Sequence, residues 1–153
     1  MVALAVRLAA LGHPVRVCAP PDFRDWIEGL GVPFTPLGPE LRSTGKADPS
    51  AAPPTPAQRR QMVADSVAAQ FATVTAAAEG CDVLVAGGYL VVAAPTVAEQ
   101  LGIRYVMAGY CPIFLPSPHH APPVYPMLGQ KADDTADNAT LWARDTRRWN
   151  DTW

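Results

Sequence analysis

Long apolar runs are missing from this sequence. None approaches the ~20 residues that a membrane-spanning helix needs. The most apolar opening, Val2 to Leu11, is interrupted by Arg7 and has no basic segment ahead of it, so it reads as a helix and not as a leader. Charge of one sign is scarce as well. A formal charge of -2 gives no electrostatic reason to expect nucleic acid or an anionic membrane surface as a partner. Cysteine is sparse: Cys18, Cys81 and Cys111 are odd in number and fit no metal-binding spacing, which suits reduced thiols and a cytoplasmic setting. No G-x-G-x-x-G follows any strand-like run, which argues against a dinucleotide site. There is no internal repeat.

What is present is a globular composition with an excess of proline. A hydrophobic fraction of 49% over 153 residues is enough for one ordinary domain, which buries roughly 70% of its unfolded surface. The 17 prolines gather mainly in two stretches, Pro33–Pro56 and Pro112–Pro126, and mark loops.

Periodicity orders the rest. Leu4, Leu8 and Leu11 share one face of a first helix that Gly12 and Pro14 stop. Val15–Cys18 is the first strand. Pro20-Pro21-Asp22 opens a second helix with Phe23, Trp26, Ile27 and Leu30 in a stripe that ends at Gly31. Phe34–Leu37 is a short strand that its prolines confine to a sheet edge. Gly38–Pro54 lacks periodicity and is expected to be a mobile loop. Thr55-Pro56-Ala57-Gln58 carries both a capping-box pair and a proline at the first helical position, and the helix runs to about Glu79 with Val63, Val67, Phe71 and Val74 inward. Asp133–Trp153 is a last helix whose Trp142, Trp149 and Trp153 are expected to serve as core.

The centre of the chain is Gly80 to Pro123. Val83–Ala86 is an apolar run expected to be buried on both faces, and Gly87-Gly88 ends it. A helix follows, closing at Gly102, and Ile103–Ala108 is a parallel strand. This is a βαβ unit, whose chemistry belongs on loops at the carboxyl ends of its strands. The whole predicts an α/β fold with a Rossmann-like, mostly parallel sheet and helices on both faces.

These segments resemble the N-terminal half of the glycosyltransferases that decorate glycopeptide antibiotics and related natural products. The resemblance rests on Val2–Leu8 with Leu11-Gly12-His13 and Val15, on Cys18–Asp22 and on Gly80-Cys81-Asp82. It continues through Val97-Ala98-Glu99, Leu101-Gly102-Ile103, Tyr105, Tyr110-Cys111-Pro112, Leu115–His120 and Pro122-Pro123. It implies a GT-B architecture in which an N-terminal domain holds the acceptor and a C-terminal domain holds a UDP- or dTDP-sugar. A hexose would pass to an acceptor hydroxyl with inversion, with no cofactor. In the family, a first strand and a loop bearing the usual base precede the helix that starts here at Val2. The resemblance therefore implies that residues 1–153 form a partial acceptor-binding domain without its first, central strand and without the donor domain. Such a piece is expected to be catalytically incomplete, marginal or molten alone, with no catalytic residue assigned. The alternative is a non-catalytic remnant that at most binds a ligand or partner.

Candidate acceptor-binding residues are Gly87, Gly88, Tyr89, Tyr110, Ser117, His119 and His120. Glycines allow close backbone approach, or simply a tight turn. The tyrosines can line an aromatic pocket or pack at strand ends. An imidazole can accept or donate a hydrogen bond to a hydroxyl, though paired histidines on a proline-rich loop are also ordinary surface residues. Cys111 with His119 and His120 gives only three ligands at no standard spacing, so no metal is expected. Ser117 lies between two prolines without nucleophile-elbow glycines, which argues against a hydrolase.

Overall fold

A computed structural model of the chain describes residues 1–44, 54–88, 90–125, 130–133 and 135–152. The chain divides into two compact units, Met1–Met107 and Ala108–Trp153.

The first unit contains two parallel strand pairs. Helix α1 (Val2–Ala10) precedes strand β1 (Val17–Ala19), and a 3-10 turn at Pro21–Phe23 leads into helix α2 (Arg24–Glu28) and strand β2 (Phe34–Pro36). β1 and β2 are parallel, with Cys18 opposite Thr35. Ala5, Ile27 and Val32 form the buried cluster here, with Val2, Val15, Val17 and Phe34 packed around it. After the one-turn helix α3 (Leu41–Thr44) comes the long helix α4 (Pro56–Ala78), then β3 (Val83–Ala86), α5 (Ala94–Leu101) and β4 (Arg104–Met107). β3 and β4 are parallel with Ala86 opposite Met107, so the chain leaves both strands at the same end. Val74 and Ala78 from α4 meet Ala93 and Val97, and Phe71, Leu84, Val91 and Ile103 close around them.

Local signals behave as the sequence predicts in this second half. The Thr55 hydroxyl accepts from Gln58 N–H at 3.2 Å while Gln58 Oε1 accepts from Thr55 N–H at 2.8 Å, completing the capping box. Gly102 closes α5 in the left-handed region at φ 66°, which a side chain there would strain.

Several expectations need correction. A mostly parallel sheet without its central strand was expected, and the described residues form two parallel two-stranded sheets, β1–β2 and β3–β4, with no strand hydrogen-bonded between β1 and β3. β1 begins at Val17, not Val15, since its ladder starts where Val17 N–H reaches Pro33 O at 2.9 Å. Val83 is 45% exposed and only Ala86 of β3 is buried, so the run is not covered on both faces along its length. The Leu4–Leu11 stripe is not the buried face of α1: Leu4 and Leu11 are exposed and the small Ala5 is buried. Of the second helical stripe only Ile27 is fully buried, and the element itself is a 3-10 turn followed by a five-residue helix. The stretch after Gly38 is not all loop. Asp22 accepts from Leu41 N–H at 2.7 Å and Arg42 N–H at 3.0 Å, which holds α3 in place from 19 and 20 residues away. Residues 45–53 lie outside the described residues.

The second unit holds a 3-10 turn at Pro112–Phe114 and helix α6 (Asn138–Thr152). The helix starts later than Asp133, because Asp137 caps it: its carboxylate accepts from Thr140 N–H at 2.8 Å. Trp142 is buried and Trp149 half-buried, as a core role requires, while Trp153 lies outside the described residues.

Candidate functional site

In the first unit the candidates lie in the turn after β3. Gly87 is exposed and Gly88 half-buried. Gly88 has φ +109°, a conformation side chains rarely adopt, and a Cβ added there would meet nothing within 4 Å. Tight turn and open approach therefore coincide at one residue. Tyr89 lies outside the described residues.

Just past that turn, a side chain from α4 fixes the backbone. Gln70 Nε2 donates to Leu90 O at 3.1 Å, and Gln70 Oε1 accepts from Ala93 N–H at 3.3 Å. Ala93 is the N-cap of α5 and has no side-chain oxygen with which to cap it. The sequence did hold a signal for Gln70: it is a polar residue on the inward stripe, three positions after Val67 and four before Val74.

In the second unit the proline-rich loop is tied to α6 by donors aimed at its carbonyls. Asn138 Nδ2 donates to Pro118 O at 2.8 Å, and Trp142 Nε1 donates to His120 O at 2.9 Å. The two histidines consequently differ. The His120 ring packs edge-on against Trp142 with centroids 5.7 Å apart, and its Nδ1 lies 3.1 Å from Ala121 O. His119 is exposed, and among the described residues its backbone N–H donates to Ser117 Oγ at 3.1 Å. Ser117 thus shapes the turn. Of the two imidazoles, that of His119 is the exposed one. Tyr110 is 65% exposed and so stands clear of the core.

Three carboxylates show what the local bonds do to charge. The Arg42 N–H holds Asp22 below the usual carboxylate range, the Thr135 hydroxyl does so for Asp133, and the Thr140 N–H for Asp137. Burial pushes the Cys18 thiol up, away from the reactive thiolate. Asp145 of α6 is buried with Oδ1 lacking a hydrogen bond, 3.6 Å from the Arg148 guanidinium. Among the described residues no three His, Cys, Asp or Glu side chains are grouped to hold a metal ion, and no helix is long and apolar enough to cross a membrane.

No protein-family model matches the sequence. Individual relatives do. The chain is 43% identical over 150 residues to glycosyltransferase GtfE and 42% identical over 158 residues to glycosyltransferase GtfC. It is 40% identical over 149 residues to vancomycin aglycone glucosyltransferase. All three are from Amycolatopsis orientalis. These matches take in 96%, 99% and 96% of this chain but only 36%, 38% and 35% of the relatives, so the chain spans little more than a third of their length. Over that third, and along nearly all of its own residues, the chain resembles these glycosyltransferases.

Proposed function

We propose that residues 1–153 are the acceptor-side portion of a GT-B glycosyltransferase that moves a hexose, with inversion, from a UDP- or dTDP-sugar to a hydroxyl of a glycopeptide-like natural product. The observation that carries this is the 40–43% identity to glycopeptide-type glycosyltransferases over almost the whole chain. Three features support it. The β3–α5–β4 unit has the parallel pairing of a Rossmann-like half, with Gly87 and Gly88 where ligand-contacting loops belong. The loop after β4 presents His119 and Tyr110 to solvent while His120 is anchored. Among the described residues no strand is paired between β1 and β3, which leaves room for a Rossmann-like order with one further strand between them.

Gly87, Gly88 and Tyr89 on one unit, and Tyr110, Ser117, His119 and His120 on the other, are proposed acceptor contacts. The general base and the nucleotide-sugar contacts belong to the remainder of the enzyme, so residues 1–153 contribute acceptor contacts and not the chemistry. Transfer takes place in the cytoplasm, where the free thiols Cys18, Cys81 and Cys111 stay reduced.

The test is to express the complete reading frame that contains these residues. It is incubated with vancomycin aglycone and either UDP-glucose or dTDP-glucose, and products are read by mass spectrometry. Hexosylated aglycone is expected. Failure to glycosylate any hydroxyl-bearing natural product, with the protein folded, would leave a non-catalytic remnant as the better description.

A further inference from the structure

We infer that Gln70 is a positioning residue for acceptor recognition: its amide clamps the segment that follows Gly87-Gly88 from both sides and so fixes the turn proposed to meet the acceptor. The inference rests on the acceptor-side role just proposed.

The geometry is specific. One amide spans two backbone groups of opposite character, donating to Leu90 O at 3.1 Å and accepting from Ala93 N–H at 3.3 Å. Those two requirements also fix which way the amide points, since the reversed group would set oxygen against oxygen and N–H against N–H. A third contact, Nε2 to Ser66 Oγ at 3.5 Å, steadies the side chain along its own helix. The clamp works against a rigid base. Ala93 is fully buried in the cluster that Val74 and Val97 share, so the far end of the segment cannot drift. The near end is Ala86, buried at the end of β3. Between them lies Gly88, which is left-handed and has no side chain to hold it. α5 brings no capping side chain of its own. Gln70 supplies both missing restraints.

A glutamine acting only on stability would, on removal, weaken all functions together. A positioning residue separates them. In the intact protein, with vancomycin aglycone as acceptor and UDP- or dTDP-glucose as donor, Gln70→Leu is expected to raise the acceptor KM about tenfold. The kcat and donor KM should stay within about twofold. Gln70→Glu keeps an acceptor for Ala93 N–H and loses the donor to Leu90 O, so its acceptor KM should fall between those of the wild type and the Leu variant. Amide exchange at Ala93 should quicken in Gln70→Leu and hold in Gln70→Glu, while the Leu90 carbonyl carbon resonance moves in both. Should Gln70→Leu fail to fold, the Glu variant still reads the two halves of the clamp. Unchanged Ala93 exchange in Gln70→Leu, or acceptor and donor KM rising together, would overturn the inference. Faster Ala93 exchange in a protein whose wild type glycosylates nothing would leave the clamp standing and overturn the acceptor-side role instead.

Discussion

The two units of this chain are held together by different means. Met1–Met107 rests on parallel ladders and two apolar clusters in which Ile27, Ala93 and Val97 are wholly buried. Ala108–Trp153 has no strand among its described residues. Its loop is tied to one helix by side chains that donate to carbonyls, Asn138 to Pro118 and Trp142 to His120, and by aromatic edges such as Tyr125 against Trp149. The first kind of order is non-directional and spread over many atoms. The second depends on a few directional bonds, each removable alone. A loop anchored in that way can present an exposed His119 beside a fixed His120, which an apolar core could not do.

The sharpest way to break this contrast is in the first unit. Ile27→Ala should destabilise it by about 2–5 kcal/mol, through lost transfer energy and the cavity left behind. The check is loss of the cooperative denaturation of α1, α2 and the β1–β2 pair. A change under 1 kcal/mol would mean that this cluster is not the support described.

The matching test in the second unit is Trp142→Phe. It keeps most of the ring and removes the Nε1 donor to His120 O, for an expected cost of about 1 kcal/mol. Amide exchange across Pro118–Ala121 should quicken, while Val97 and Ala98 keep their protection. Equal loosening at both places would erase the distinction between the units.

Thr55→Ala removes the cap of α4 and should cost about 1 kcal/mol, read by denaturant titration. The smallest effect is expected from acid. Asp133 and Asp137 are held below the ordinary value by the bonds from Thr135 and Thr140, so what they contribute is present above that value and is lost as pH falls through their lowered ones. The first turn of α6 should therefore fray on acidification in an NMR pH titration, and Asp137→Asn should remove its share of the pH dependence. Asp22, held low by the Arg42 N–H, makes α3 respond in the same direction within the first unit. The β3–β4 pair should be indifferent over that range.

The division between the units also marks how far residues alone could be read. The capping box at Thr55–Gln58, the left-handed Gly102 and the β3–α5–β4 order are set by neighbours a few positions apart, and all stand in the structure. The strands and a mostly parallel sheet were read from the α/β alternation, while the resemblance placed the missing central strand between β1 and β3, which the described residues leave unpaired with each other. The exposure of Leu4, Leu11 and Val83 was not legible, because helical or strand period says which residues share a face and not what covers that face. Asp22 capping α3, Asn138 on Pro118 and Gln70 on Leu90 and Ala93 join residues 19 to 23 positions apart, so a local pattern can single out a residue such as Gln70 but not its partners. At the candidate site, the sequence singled out the pair His119 and His120. It took the Trp142 ring to show that one is an anchor and the other exposed.

The most direct measurement is an NMR titration of the complete protein, read at the resonances of residues 1–153, with vancomycin aglycone and, separately, with UDP-glucose and dTDP-glucose. An acceptor-side role predicts saturable shifts at Gly87, Gly88 and Tyr110–His120 with the aglycone, and none there with either nucleotide sugar. Saturable shifts there with a nucleotide sugar, or aglycone shifts confined to other residues such as Gly12 and Gly31, would contradict it.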